Sequence, residues 1–258
     1  MKIVVLMKDV PDTYGDRQLS PETGLVERGS SDHVPDEITE RALEAALRYA
    51  EAHEGVTVRL VSMGAAEATA TVRKGLAMGA DSALQVLDDD LVGADLSLTA
   101  EVLAAAIRRE APDLVVAGNL STDGTGGVIP AMVAERLGWA ALTNLAELDI
   151  AEAEVSGTRV SDTGRMRLTA ALPAVVSVTE GMPDPRYVNF KGIMAAKKKQ
   201  VDTVGVAELG VHPLDPEAAR TIMTEVSQKP PRTGGVKIVD EGDAAERLVE
   251  FLVENKLV

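Results

Sequence analysis

Short apolar runs alternate with stretches of helical periodicity along most of the 258 residues. Lys2–Met7 and Val56–Ser62 are rich in β-branched residues, which is typical of strands buried on both faces. Between them, apolar residues from Pro35 to His53 recur on one face of a helix. Parallel strands joined by crossover helices produce this alternation. The sequence therefore predicts an α/β fold with a doubly wound, mainly parallel, Rossmann-like sheet.

Further predicted elements continue the alternation of strands and helices, and an antiparallel addition and a C-terminal arm then depart from it. The predicted helices are Ala65–Met78, Asp95–Glu110 and one from Ile129 to Leu137, and the predicted strands are Ala83–Leu87, Leu114–Ala117 and Ala174–Val178. An antiparallel addition to the sheet is predicted at Asn144–Ile150, Glu154–Ser161 and Arg165–Ala171. We expect one α/β domain over residues 1–205. Residues 206–258 are expected to form an extended C-terminal arm that wraps a partner subunit and ends in an amphipathic helix at Asp243–Asn255.

Composition excludes several kinds of chemistry. The chain has no cysteine and only three histidines, so disulfides, cysteine-ligated metals and cysteine nucleophiles are excluded and no metal site is expected. A net charge of −15 argues against a nucleic-acid partner. No apolar run approaches the roughly 18 residues of a membrane span, and the first run is too short for a signal peptide. We expect a cytoplasmic protein without direct membrane insertion, in which any redox chemistry uses an organic cofactor.

A glycine-rich stretch at Gly118–Gly127, here called the glycine loop, follows a predicted strand and opens a helix. Glycine lets backbone N–H groups approach a phosphate, and a helix N-terminus favours anions. Asn119, Ser121 and Thr122 add neutral donors. The loop therefore predicts a nucleotide site, although an ordinary turn of small residues has the same composition. Asp123 is predicted either to orient a ribose hydroxyl or to stabilise the turn.

The familiar nucleotide motifs do not match this loop. Ile129 stands where a dinucleotide fingerprint needs its third glycine, and the Gly-Lys-Ser/Thr of a Walker A loop is absent. A stand-alone stress-type adenine nucleotide-binding module remains a distant alternative, because Gly124, Gly127 and Gly138 miss its spacing by one residue. An ATP pyrophosphatase is disfavoured because Lys8–Asp12 stands where its Ser-Gly-Gly loop would follow the first strand.

Another unusual segment lies near residue 190. Tyr187 and Phe190 are two of the six aromatic residues of the chain, and three consecutive lysines, Lys197 to Lys199, follow them. A loop whose apolar groups pack inward while its lysines are solvated would have the same composition.

Six motifs follow one another along the chain: VLMKDVPD at 5–12, RKGLAMGAD at 73–81, LPAVV at 172–176, PRY at 185–187, GIMAAKKK at 192–199 and PPRTGG at 230–235. In this order they resemble the β subunit of electron transfer flavoproteins, and the form of the glycine loop resembles the bacterial, particularly the actinobacterial, branch. The resemblance implies an adenine nucleotide-binding fold and an electron carrier rather than an enzyme. It also implies a heterodimer with an α subunit that holds the redox-active FAD, and a structural AMP in this chain.

The resemblance places the AMP pocket at strand carboxyl ends and helix N-termini. Its implied lining residues are Leu6, Asp36, Glu37, Ile38, Thr39, Met63, Gly118, Asn119, Leu120, Ser121, Thr122, Asp123, Gly124, Thr125, Gly126, Gly127, Val128 and Ile129. Thr13 stands where relatives often have an aromatic residue near the flavin, and the adjacent Tyr14 either replaces it or is a plain loop tyrosine.

The resemblance also implies a docking loop, residues 183–199, for acyl-CoA and related dehydrogenases. Phe190 stands where the family has a leucine that inserts into the dehydrogenase. Its expected neighbours in docking are Tyr187, Ile193 and Met194, with Lys197, Lys198 and Lys199 steering the partner. The implied electron acceptor is a membrane quinone oxidoreductase. A bifurcating β subunit, with a second FAD in place of AMP, remains an alternative because that branch shares Val10–Thr13 and the hairpin around Leu19–Val26.

Overall fold

A computed structural model describes residues 1–15, 18–231, 234–235 and 237–258. The chain divides into two compact units, Met1–Thr224 and Glu225–Val258. Arg232 and Thr233, which belong to the PPRTGG motif, lie outside the described residues. Within the described ranges, no helix combines the length and the apolar character needed to cross a membrane.

The first unit is built on a nine-stranded sheet of β1 (Lys2–Leu6), β4 (Thr57–Met63), β5 (Ser82–Val86), β6 (Leu114–Gly118), β7 (Ala140–Ile150), β8 (Glu154–Ser161), β9 (Gly164–Ala171), β10 (Ala174–Val178) and β11 (Val201–Val204). The order of the strands across the sheet is β11-β5-β4-β1-β6-β10-β7-β8-β9. A separate antiparallel pair is formed by β2 (Asp9–Pro11) and β3 (His33–Pro35). The pairs from β11 to β7 are parallel, whereas β7, β8 and β9 are antiparallel. The predicted fold class is confirmed.

Helices cover both faces of the parallel part of the sheet. They are α1 (Glu37–Ala52), α2 (Thr69–Met78), α3 (Leu96–Glu110), α4 (Ile129–Leu137) and α5 (Phe190–Ala196). Along β1, Ile3 and Val5 belong to one apolar cluster, and Val4 and Leu6 belong to the other. Alternate side chains of a strand point to opposite faces, so a continuous apolar run is what a strand between two helix layers requires.

The structure adds elements that periodicity does not predict. The short strands β2 and β3, the helix α5 and the edge strand β11 lie in segments with weak patterns. Strand β7 begins at Ala140 rather than at Asn144, because its first half pairs in parallel with β10 before its second half pairs with β8. The first unit also continues past residue 205, since Val206 and Val211 are buried in its core.

The second unit contains α6 (Ala244–Glu254), close to the predicted Asp243–Asn255. This helix is amphipathic, and Leu248, Val249 and Val253 are exposed within it. The expected role of residues 206–258 as an arm that wraps a partner stays a prediction.

Candidate functional site

The carboxyl ends of β1, β4 and β6 meet at one edge of the sheet. Strand β1 pairs in parallel with β4 on one side and with β6 on the other. The chain runs from β1 towards β4 and β5 and then returns to β6, so the strand order reverses beside β1. In open α/β sheets, ligands bind in the crevice at such a reversal. Leu6, Met63 and Gly118 are the last residues of these strands, as the predicted pocket requires.

Asp36 connects the start of α1 to the glycine loop. Its Oδ1 accepts hydrogen bonds from the backbone N–H groups of Ile38, at 3.0 Å, and Thr39, at 3.3 Å. Its Oδ2 accepts the N–H of Thr122 at 2.8 Å. Asp36 is fully buried, so one carboxylate both caps the helix and holds a loop that is 86 residues distant in sequence.

The glycine loop approaches α1 closely at its first residue. A Cβ on Gly118 would lie 3.2 Å from Ile38 Cγ2 and 3.3 Å from the Ile38 carbonyl carbon. Farther along, Thr125 and Gly127 have positive φ angles of 47° and 66°, and the Thr125 N–H donates to the Ser121 carbonyl at 2.9 Å. The hydrogen bond from Thr125 to Ser121 therefore closes a turn within the glycine loop.

One buried atom of the loop fits a ligand. The Asn119 side-chain Oδ1 is buried and has no hydrogen-bond partner among the residues that the structure describes. A buried acceptor without a partner costs about 1–3 kcal/mol, and a ligand that donates a hydrogen bond removes this cost. The residues present therefore fit a polar ligand at this edge.

Two cations that motif reasoning missed hold Asp123. Lys8 Nζ donates to Asp123 Oδ1 at 2.7 Å and to Ser121 Oγ at 2.9 Å, and Arg28 Nη2 lies 3.1 Å from Asp123 Oδ2. Burial opposes ionisation of Asp123, but the hydrogen bonds from Lys8, Ser121 and the Gly124 N–H, with the charge of Lys8, outweigh it and hold the pKa of Asp123 well below the usual range. The Asp123 side chain is almost wholly enclosed, so the geometry favours its structural role over a ribose contact. The available signal was the position of Lys8 directly after the predicted first strand, Lys2–Met7.

The predicted flavin-facing residues share a hollow with the start of α1. A cavity of about 220 Å³ is lined by Thr13, Tyr14, Glu37 and Thr122, among others. Tyr14 is 99% exposed, so its ring is available to another molecule. A larger groove of about 580 Å³ lies between α1 and β7, and it is lined by none of the predicted AMP or flavin-facing residues.

The β2–β3 pair that leads into this hollow is held by a polar cluster. His33 Nδ1 lies 2.5 Å from Asp9 Oδ2, and Thr71 Oγ1 donates to Asp9 Oδ1 at 2.6 Å. The hydrogen bond to Asp9 raises the pKa of His33 above 6.5, although burial lowers it in part.

This cluster predicts a pH dependence of stability. The protonated form of His33 is favoured in the folded state, so its contribution is complete below pH 6.5 and is lost as the pH rises through the raised pKa. We expect the free energy of unfolding to fall over this range in the parent chain and to fall less in His33→Gln. Urea unfolding of both proteins from pH 6 to pH 9 measures this, and parallel pH curves would contradict the assignment.

The docking loop exposes its aromatic residues. Tyr187 is 100% exposed and Phe190 is 77% exposed, and Ile193 and Met194 are also exposed. The alternative in which the apolar groups of this loop pack inward does not hold for these four side chains. Residues 190–196 form α5, which begins at an Asn189 cap whose Oδ1 accepts the Gly192 N–H at 2.8 Å.

The three lysines of the loop have different surroundings. Lys197 and Lys198 are exposed. Lys199 Nζ instead donates to the carbonyls of Leu76, Gly79 and Ala80 at 3.1, 3.0 and 2.6 Å. This corrects the steering role expected of Lys199, because its charge is held against the C-terminal end of α2, where the helix dipole favours a cation.

Comparison with known proteins gives consistent results. The electron transfer flavoprotein domain model matches residues 23–209. The chain is 44% identical over 264 residues to the electron transfer flavoprotein subunit beta of Mycobacterium leprae (strain TN), covering 99% of each chain. It is 30% identical over 254 residues to that of Bacillus subtilis (strain 168), covering 98% of this chain and 96% of the relative. It is also 30% identical over 266 residues to the caffeyl-CoA reductase-Etf complex subunit CarD of Acetobacterium woodii, with both chains fully covered.

Proposed function

The chain belongs to the electron transfer flavoprotein family, as one of its β subunits, and from this premise we propose its cofactors and partners. Proteins of this family function in electron transfer, and their β subunits form heterodimers with an α subunit. We infer that this chain is a carrier subunit in the cytoplasm and not an enzyme with a substrate of its own.

The proposed reaction moves electrons from acyl-CoA-type dehydrogenases to a membrane quinone oxidoreductase. An FAD held mainly by the α subunit supplies the redox chemistry when it is bound. This chain contributes the AMP-stabilised scaffold, the wall of the flavin cleft at Thr13 and Tyr14, and the docking loop. The exposure of Tyr14 and its position on the hollow that Glu37 and Thr122 also line support this wall.

The observation that carries the AMP proposal is the connection between α1 and the glycine loop. Asp36 joins the helix N-terminus to Thr122 at the point where the strand order reverses, and the buried Asn119 Oδ1 is open to a donor from a ligand. The glycine loop also contains the neutral polar residues Ser121 and Thr122. An adenine nucleotide combines hydrogen-bond donors with an anionic phosphate, which this arrangement suits. AMP bound there stabilises the folded chain by mass action.

Cofactor content tests this proposal directly. We expect the purified heterodimer to release about one FAD and one AMP on denaturation, as quantified by chromatography against standards. Two FAD and no AMP would replace the AMP proposal with the bifurcating alternative. Release of neither nucleotide would contradict both the AMP site and the flavin partner.

The docking proposal rests on the exposed aromatic residues of the docking loop. A partner gains most binding energy from large apolar side chains that are exposed in the free protein and buried in the complex. Phe190 and Tyr187 meet this requirement, and the exposed Lys197 and Lys198 add a basic patch to a chain with a net charge of −15. Such charges act mainly on the association rate.

A further inference from the structure

Arg186, which directly precedes Tyr187, joins the docking loop to α1 through a partly buried ion pair with Glu44. Arg186 Nε donates to Glu44 Oε2 at 2.7 Å, and the Arg186 backbone N–H donates to the same oxygen at 3.1 Å. Its guanidinium also donates to Glu51 Oε2 at 3.0 Å. Glu44 is only 4% exposed, so this contact is shielded from competing water. One side chain therefore ties the docking loop to two turns of α1.

A second arginine binds the same segment, but this arginine belongs to α1 and not to the loop. Arg41, on α1, donates to the carbonyl of Met182 and lies 2.7 Å from the carboxylate of Asp184. The chain entering the docking loop is thus held at residues 182, 184 and 186.

The far end of the loop is fastened to α2. Arg73 Nη1 donates to the carbonyls of Ala196 and Lys199, each at 2.9 Å. Gly192 lies so close to α2 that a Cβ there would clash with the Ala77 carbonyl oxygen. Tyr187 and Phe190 therefore lie on a short connection between two anchored ends.

We propose that Arg186 is a positioning residue, which holds the connection carrying Tyr187 and Phe190 in the conformation that a partner binds. The inference rests on the proposed function, since it requires that a dehydrogenase docks on these side chains. Ordering a flexible loop on binding costs conformational entropy for each residue immobilised. The Arg186 contacts already hold the loop in the free subunit, so this cost does not arise on binding. Loss of these contacts therefore weakens docking, although Arg186 itself need not touch the partner.

Arg48 provides a matched control for the loss of an ion pair. Its Nε donates to Glu44 Oε1 at 2.7 Å, so it binds the same carboxylate as Arg186. Burial raises the pKa of Glu44, but the hydrogen bonds from Arg186 and Arg48 outweigh it and hold the pKa below its usual value. Arg48 lies on α1 itself, so replacing it weakens the pairing of Glu44 without releasing the docking loop.

The test uses the heterodimer of this chain and its α subunit. An acyl-CoA dehydrogenase and its acyl-CoA substrate are added, and reduction of the flavin is followed by absorbance. We expect Arg186→Ala to raise the KM for the heterodimer about tenfold while the limiting rate and FAD content stay unchanged. Arg48→Ala should lower the thermal midpoint with little change in KM. The double variant Glu44→Gln/Arg186→Gln, which leaves no buried charge at residue 44 and frees only the exposed Arg48 and Glu51, should raise the KM as Arg186→Ala does.

A double-mutant cycle with Phe190→Ala separates this inference from the proposed function. If Arg186 acts by positioning Phe190, the double variant Arg186→Ala/Phe190→Ala should have nearly the same KM as Phe190→Ala alone. Full additivity, or an equal KM increase in Arg48→Ala, would overturn the positioning role. An unchanged KM in Phe190→Ala alone would instead refute the docking proposal itself.

Discussion

Phe190→Ala is expected to slow dehydrogenase-coupled reduction of the flavin about 30-fold at subsaturating partner concentration. This corresponds to about 2 kcal/mol, the usual threshold for a central aromatic anchor at an interface. The side chain is mostly exposed in the free chain, so the free energy of unfolding should change by less than about 0.5 kcal/mol. Stopped-flow absorbance with a reduced acyl-CoA dehydrogenase, at several concentrations, measures the effect.

Val92→Ala serves as the control for Phe190→Ala. Val92 is 74% exposed, close to the value for Phe190, but it lies outside the docking loop. We expect its coupled rate to equal that of the parent. An unchanged rate in Phe190→Ala, or an equal loss in Val92→Ala, would show that residue 190 is not the anchor.

Asp36→Ala is expected to destabilise the chain and release the nucleotide together. It removes the cap of α1, worth about 1–2 kcal/mol, and takes away the buried acceptor of the Thr122 N–H, worth about 1–3 kcal/mol. We therefore expect the free energy of unfolding to fall by about 3 kcal/mol. The AMP content of the purified heterodimer should fall at least tenfold, because the glycine loop loses its connection to α1.

Asp95→Ala separates the two effects. Asp95 caps α3 by accepting the Leu98 N–H at 2.7 Å, and its other oxygen binds Thr221 rather than the glycine loop. Denaturant unfolding should show a loss of stability in this variant, while chromatography shows AMP retained. If both variants lose AMP equally, general destabilisation and not the Asp36 connection controls the site.

Local patterns predicted most elements, because helix and strand periodicity depends on residues a few positions apart. The run at Lys2–Met7 predicted a strand buried on both faces, and β1 has Val4 and Val5 in opposite apolar clusters. The same reasoning missed α5 and β11, whose short segments acquire their conformation from packing on α2 and pairing with β5. Tertiary contacts, not local periodicity, specify such elements.

The candidate site, too, was predicted from the sequence only in part. The glycine loop was predicted as a ligand site because it follows the carboxyl end of a parallel strand. The family resemblance, and not the strand pattern, placed the start of α1 in the same pocket. The pairing of Asp123 with Lys8 and Arg28 was not predicted, since these cations are 115 and 95 residues from it along the chain.

The sequence by itself determined the α/β alternation, the double-sided burial of the central strands and the family motifs, because each is encoded in neighbouring residues. Only the tertiary structure decided what individual charged groups do. Lys197, Lys198 and Lys199 are consecutive lysines that the sequence does not distinguish. Of the three, Lys199 alone is held by the carbonyls at the end of α2. A charged side chain is paired or solvated according to which distant segments of the chain the fold places beside it. Local periodicity contains no information about which distant segments become neighbours.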